Sequence, residues 1–207
     1  MLTVEDIAIA IAAAPVRPID FVAAPRNAAV AMILCQGEVE LEACFIQRAE
    51  RAGDPWSGQV AFPGGRAAQG DGSAAAVAER ETREEVGLVI GPEHRIGALP
   101  PRHLTRHGSG MTLSPFVYHL SGRAGPDAPQ RRARPRAPRE VASVFWVPLA
   151  HLFDEAAVTT LTYPPGENGG QFPGIGFGER VIWGLTLQVL GTFAEILGRR
   201  LPALTGH

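Results

Sequence analysis

Residues 64–88 read Gly-Gly-Arg-Ala-Ala-Gln-Gly-Asp-Gly-Ser-Ala-Ala-Ala-Val-Ala-Glu-Arg-Glu-Thr-Arg-Glu-Glu-Val-Gly-Leu. A glycine turn runs into an alanine-rich helix start and then into Arg80-Glu81-Thr82-Arg83-Glu84-Glu85-Val86-Gly87. On a helix Glu81, Glu84 and Glu85 stand at i, i+3 and i+4, so all three carboxylates share one face. Like charges side by side repel unless a cation sits among them, and hard divalent cations take oxygen ligands. A pyrophosphate resists hydrolysis because its own charge repels a nucleophile, and a divalent ion removes that obstacle. The pattern therefore points to magnesium, with manganese as a substitute, and to phosphate chemistry. Taken alone, Arg-Glu-x-x-Glu-Glu also reads as a solvated helix face with ordinary ion pairs. Arg80, beside Glu81 and four residues before Glu84, is placed to orient a carboxylate. Gly65 lets the main chain approach closely enough for its carbonyl to serve as a further ligand.

Outward from this stretch the chain alternates strands and helices. A helix is expected over 4–13, entered through Thr3 and Asp6. Strands are expected over 28–34 and 41–48, joined as a hairpin, and over 59–62. The glutamate helix should span 73–86, capped by Ser73 or Asp71 and stopped by Gly87. Further strands are expected over 95–99, 112–120 and 141–147, then a short helix over 149–154. Ile182, Leu185, Val189, Phe193 and Leu197 suggest one long helix over 179–197. Residues 100–110 and 163–178, rich in Gly and Pro, read as loops, the second with Phe172 as a substrate-side contact. Interleaved helices and strands favour an α/β fold with a mixed sheet between helical layers.

The chain has 207 residues, 45% of them hydrophobic, which suits one domain over 1–207. Residues 121–139 hold six arginines and four prolines and read as a flexible surface insertion or a basic flap. A net charge of −2 gives no global pointer to nucleic acid or a membrane surface. All 19 basic residues are arginine, which reflects composition more than function. Cys35 and Cys44 lack zinc-ligand spacing and read as core residues of a reducing compartment. The apolar run 7–14 follows Glu5 and Asp6 and is too short to span a bilayer. A soluble cytoplasmic protein is expected, with a homodimer as the default assembly.

Gly65 together with Arg80-Glu81-x-x-Glu84-Glu85-x-Gly87-Leu88 resembles the Nudix box, the signature of hydrolases that cut nucleoside diphosphates linked to another group. Asp71 stands where the box has its early glutamate, the segment to Arg80 is one residue longer than the common form, and Thr82 replaces an aliphatic. The stretch 58–65, Gly-Gln-Val-Ala-Phe-Pro-Gly-Gly, is similar to the coenzyme A diphosphatase branch, as are Val147-Pro148-Leu149 and 182–186. Where that branch carries Arg-Ser and then Leu-Arg, this chain has 48–57, Arg-Ala-Glu-Arg-Ala-Gly-Asp-Pro-Trp-Ser.

The resemblance implies a Nudix α/β/α sandwich with a central mixed β-sheet. It implies Glu81 and Glu85 as magnesium ligands, Glu84 as a further ligand or a supporting group, Gly65 as a carbonyl donor and Arg80 as the group orienting Glu81. Either Glu81 doubles as general base, or the base lies outside the box, with Glu140 the candidate. Arg48, Trp56, Arg66 and His107 are candidate contacts to a small nucleotide substrate. Coenzyme A or an acyl derivative is the first candidate, and ADP-ribose, dinucleotides or oxidised nucleoside triphosphates are alternatives. A non-catalytic nucleotide sensor of the same fold would be expected to lose box carboxylates, and all three are present here.

Overall fold

The computed structural model describes the chain except residues 1, 15, 17–20, 25, 55, 107–108, 123–127, 165–168 and 205–207, and the side chains of 105, 106, 109 and 131. The expected hairpin forms from β1 (Asn27–Gln36) and β2 (Leu41–Arg48). Side chains along a strand alternate between faces. Ala29, Ala31, Ile33 and Cys35 of β1, with Cys44 and Ile46 of β2, fill one core. Met32 and Leu34 of β1, with Leu41, Ala43 and Phe45 of β2, fill a second core on the other face. Both faces of the hairpin are largely covered, so β1 reads as a nearly unbroken apolar run.

Each core has its own helices. On the first lies α2 (Ala74–Val86), through Ala74, Val77, Ala78 and Val86. On the second lie α1 (Val4–Ala13), through Ile7 and Ile11, and α5 (Gly184–Ile196), through Leu187, Val189, Leu190 and Phe193. The result is the expected α/β/α sandwich. Its eight-stranded sheet runs β3 (Val60–Ala61), β2, β1, β7 (Ser109–Leu120), β5 (Arg95–Ala98), with β4 (Gly64–Arg66) on β1, β6 (Arg102–Arg106) on β7 and β8 (Val141–Pro148) on β2. The β1–β7 pair is parallel and the other pairs are antiparallel, so the sheet is mixed. Among the described residues no helix is long and apolar enough to cross a membrane.

Two expectations are corrected. Residues 179–197 are not one helix: β11 (Arg180–Trp183) pairs with β10 (Gly170–Phe177), and α5 starts only at Gly184, whose φ is 59°. Val181, Ile182 and Trp183 favour a strand when one is there to pair with. The segments read as loops contain strands: β6 lies in the first and β10 in the second, where β10 joins β9 (Val158–Tyr163) and β11 in a second, three-stranded sheet. Glycines and a proline hid β10, because alternation is weak where every second residue is small. The short helix after β8 does form, as α4 (Leu149–Leu152).

Helix α2 follows its sequence closely. The Ser73 hydroxyl accepts from Ala76 N–H, and Gly87 closes the helix in the left-handed region at φ 74°. Inside it Thr82 is fully buried, and among the described residues its hydroxyl has no hydrogen-bond partner. A buried unpaired hydroxyl costs about 1–3 kcal/mol, so the near-isosteric Thr82→Val should stabilise the protein by about 1 kcal/mol. For a chain of this size the melting temperature should rise by about 2–4 °C. An unchanged or lower Tm would mean that the hydroxyl has a partner in solution.

Part of the arginine- and proline-rich segment is anchored to α2. Arg134 N–H donates to Val86 O and Arg136 N–H to Glu85 O, so the segment satisfies carbonyls at the end of the glutamate helix. Within it α3 (Pro129–Arg132) begins after the buried Ala128, and the Gln130 amide donates to Gln36 O and to Glu42.

Candidate active site

Strand β4 brings the glycine turn to the glutamate helix. Gly64 and Gly65 pair with Val30 and Ala29 of β1, while α2 packs across the same strands. A Cβ on Gly64 would strike the backbone of Ala29 and Val30, and a Cβ on Gly65 would strike the Glu81 carboxylate. Only glycine at both positions lets main chain, sheet and carboxylate come this close. Glu85 Oε2 accepts from Gly64 N–H at 2.8 Å. The first two box carboxylates to be fixed are therefore held against the same short strand, on the wall of a cavity of about 440 Å³.

Arg80 is the hub behind them. Its Nε and Nη2 grip Asp71 at 3.0 Å each, Nη1 meets Glu81 at 2.9 Å and Glu84 at 3.1 Å, and Nη2 also donates to Arg66 O. One guanidinium thus ties the glycine turn to two of the helix carboxylates in a planar, forked geometry that lysine cannot reproduce. The bond from Arg80 holds the Asp71 carboxyl below the usual carboxylate range.

Burial pushes the carboxyl of Glu81 up, partly offset by Arg80. Glu85 is 3% exposed, and burial raises its carboxyl to about 8, with the charges of Glu81 and Glu140 adding to the shift and the Gly64 N–H opposing it. A folded value above the unfolded one means that the native protein holds the proton more tightly. Stability of the metal-free protein should therefore fall as pH rises from about 4.5 to about 8 and level off above that. Urea midpoints taken at pH 5 and pH 8 check this, and Glu85→Gln should abolish that part of the slope.

Glu81, Glu85, Gly65, Arg48, Trp56, Arg66 and Glu140 all line the one cavity. His107 lies outside the described residues. Glu84 does not line it: its side chain is half exposed and paired with Arg80. Arg48 is paired with Asp54 at 2.7 Å, and Asp54 also accepts from Trp56 N–H, which shapes the loop displaying that tryptophan. Among the described residues no three His, Cys, Asp or Glu side chains close on a common point. The donor chemistry nevertheless suits a hard cation. Glu85 is buried with, among the described residues, one donor, the Gly64 N–H; Glu81 and Glu140 add like charge beside it, and every candidate ligand atom is oxygen.

Sequence reasoning missed the anchoring role of Asp71, nine residues from Arg80 across a turn that carries no helical spacing. It also missed Asp54, Arg51 and Arg139 and the apolar wall of Val30, Met111, Leu113, Leu185 and Val189. The Asp-Pro-Trp turn signal was the available hint for Asp54.

The NUDIX domain model matches residues 25–163, a span that takes in β4, α2 and Glu140. The chain belongs to the Nudix family. It is similar to the human mitochondrial coenzyme A diphosphatase NUDT8, with 34% identity over 89% of this chain and 75% of that one. It is also similar to the uncharacterized Nudix hydrolase NudL of Escherichia coli K12, with 32% identity over 69% of this chain and 68% of that one. A crystal structure of a MutT/nudix family protein from Enterococcus faecalis shares the fold, with a TM-score of 0.53 at 17% identity over 84% of this chain and 62% of that one. This Nudix chain is accordingly an enzyme of the hydrolase kind.

Proposed function

We propose that the protein is a divalent-cation-dependent hydrolase that opens the diphosphate linkage of a nucleoside diphosphate derivative, with coenzyme A or an acyl derivative as its substrate. The observation that carries the chemistry is the meeting of Glu81 and Glu85 with the Gly64–Gly65 strand on the wall of a cavity that also holds Glu140. The similarity to a protein named a coenzyme A diphosphatase supports the substrate.

Glu81 and Glu85 would hold magnesium, or manganese in its place, with the Gly65 carbonyl as a further candidate donor; Glu84, outside the cavity, is left to the Arg80 ion pair. The ion supplies neutralisation of phosphoanhydride charge and a lowered pKa for water. The chain's own groups do the positioning. Gly64 N–H fixes Glu85, Arg80 fixes Glu81, and Asp71 fixes Arg80. Arg48, Arg66 and Trp56 line the same cavity and would face a nucleotide bound there.

Water adds to one phosphorus and the bridging P–O bond breaks. Two phosphate monoesters leave, and the water's proton passes to the Glu140 carboxylate. From coenzyme A the products are a phosphopantetheine and adenosine 3′,5′-bisphosphate. A magnesium assay over coenzyme A, ADP-ribose, dinucleotides and oxidised nucleoside triphosphates tests the reading. Release of adenosine 3′,5′-bisphosphate from coenzyme A is the expected result. Turnover of dinucleotides without turnover of coenzyme A would reject the substrate, and binding without any product would reject the enzyme.

A further inference from the structure

Four arginines line the cavity, and they are not equivalent. Arg48 is committed to Asp54, and Arg66 sits on β4 beside Gly65 and the box carboxylates. Arg51 and Arg139 come from two separate segments joined by one backbone bond, Ala49 N–H to Glu140 O at 2.8 Å. That bond extends the β2–β8 pairing, in which Arg48 faces Val141. It brings the loop after β2 and the end of the arginine- and proline-rich segment to one edge of the cavity. Both guanidinium groups are exposed, and among the described residues neither lies within ion-pair distance of a carboxylate. Trp56, an exposed aromatic face, stands in the same loop as Arg51 and lines the same cavity. The loop is not slack: Arg51 N–H donates to the Ser57 hydroxyl, and Asp54 holds Trp56 N–H.

We infer that Arg51 and Arg139 form a grip for a phosphate monoester carried on the nucleoside side of the substrate, outside the linkage that is cut. The inference rests on the proposed nucleotide hydrolysis and deepens it. An aromatic face takes the base, because any base offers a π-surface. Two unpaired guanidiniums beside it take a dianion, because arginine offers planar donor pairs matched to phosphate oxygens. The segment that supplies Arg139 is anchored on the carboxyl end of α2 through Arg134 and Arg136, so the grip is tied to the helix that carries Glu85. The arginine-rich segment thereby acquires a role in selecting substrate.

The test uses two paired probes. The first is calorimetric binding of adenosine 3′,5′-bisphosphate and of AMP to the metal-free protein. The second is kcat/KM for coenzyme A and for its 3′-dephospho form with magnesium. The wild type should bind the bisphosphate about 10-fold or more tightly than AMP, the size of one charge-assisted contact. It should show a similar preference in kcat/KM. The double variant Arg51→Ala, Arg139→Ala should bring both ratios toward one, and Arg139→Lys should leave an intermediate ratio. Equal affinities in the wild type would overturn the inference, as would a double variant that weakens both probes by the same factor. Should neither coenzyme A form be turned over, the proposed function fails, and the binding ratio still decides this inference.

Discussion

Glu85→Gln is expected to lower turnover about 10³-fold while raising the stability of the metal-free protein near pH 8. The two effects have opposite signs because they have one cause. Glu85 is almost fully buried, receives one N–H from Gly64 and lies beside the charges of Glu81 and Glu140. In the absence of a cation its ionised form is a burden on the fold, which is why burial lifts its carboxyl to about 8. Glutamine keeps the shape and can still accept from Gly64 N–H, so the fold is retained. It removes the charge that would hold a divalent ion against a phosphoanhydride, and groups that stabilise transition-state charge in this way are worth about 10²–10³ or more in rate. Steady-state kinetics at saturating magnesium, with a urea titration at pH 8, read both halves. A variant that is stabilised yet retains near-wild-type turnover would remove Glu85 from the site.

Glu140→Gln should cost about 10² in kcat, with little change in KM and a changed pH profile. A general base contributes about 10²–10⁴, and the amide cannot accept the proton. Glu140 lines the cavity, is exposed, and raises the carboxyls of both Glu81 and Glu85 through its charge. Its backbone is fixed on both sides, its N–H donating to Ala137 O and its carbonyl accepting from Ala49 N–H, so the substitution leaves the main chain in place. Turnover within threefold of wild type, with an unaltered profile, would assign the proton to Glu81.

Glu81, Glu84, Glu85 and Arg80 were legible as a unit because a helix converts sequence spacing directly into geometry. The hairpin of β1 and β2 was equally plain, since β1, covered on both faces, reads as an apolar run and β2 alternates well enough for its return strand. Glu140 could be named only as a candidate, because β8 joins it to the site through pairing with β2, a contact that leaves no local mark. Asp71 was placed by the box pattern but not understood: its bond to Arg80 closes a loop between a turn and a helix. The second sheet stayed hidden because Gly170, Pro173, Gly174 and Gly176 erase the alternation by which β10 would announce itself. Arg180–Trp183 was misread because its apolar residues fit helical spacing as well as strand pairing, and only β10 decides between them.

The most direct measurement is a crystal structure soaked with Mn²⁺ and a non-hydrolysable diphosphate nucleotide, with the ion located by its anomalous signal. The expected result is an ion about 2.0–2.3 Å from carboxylate oxygens of Glu81 and Glu85, in contact with the diphosphate inside the cavity. An ion bound elsewhere, with Glu81 still on Arg80 and Glu85 still on Gly64 beside a seated nucleotide, would contradict it.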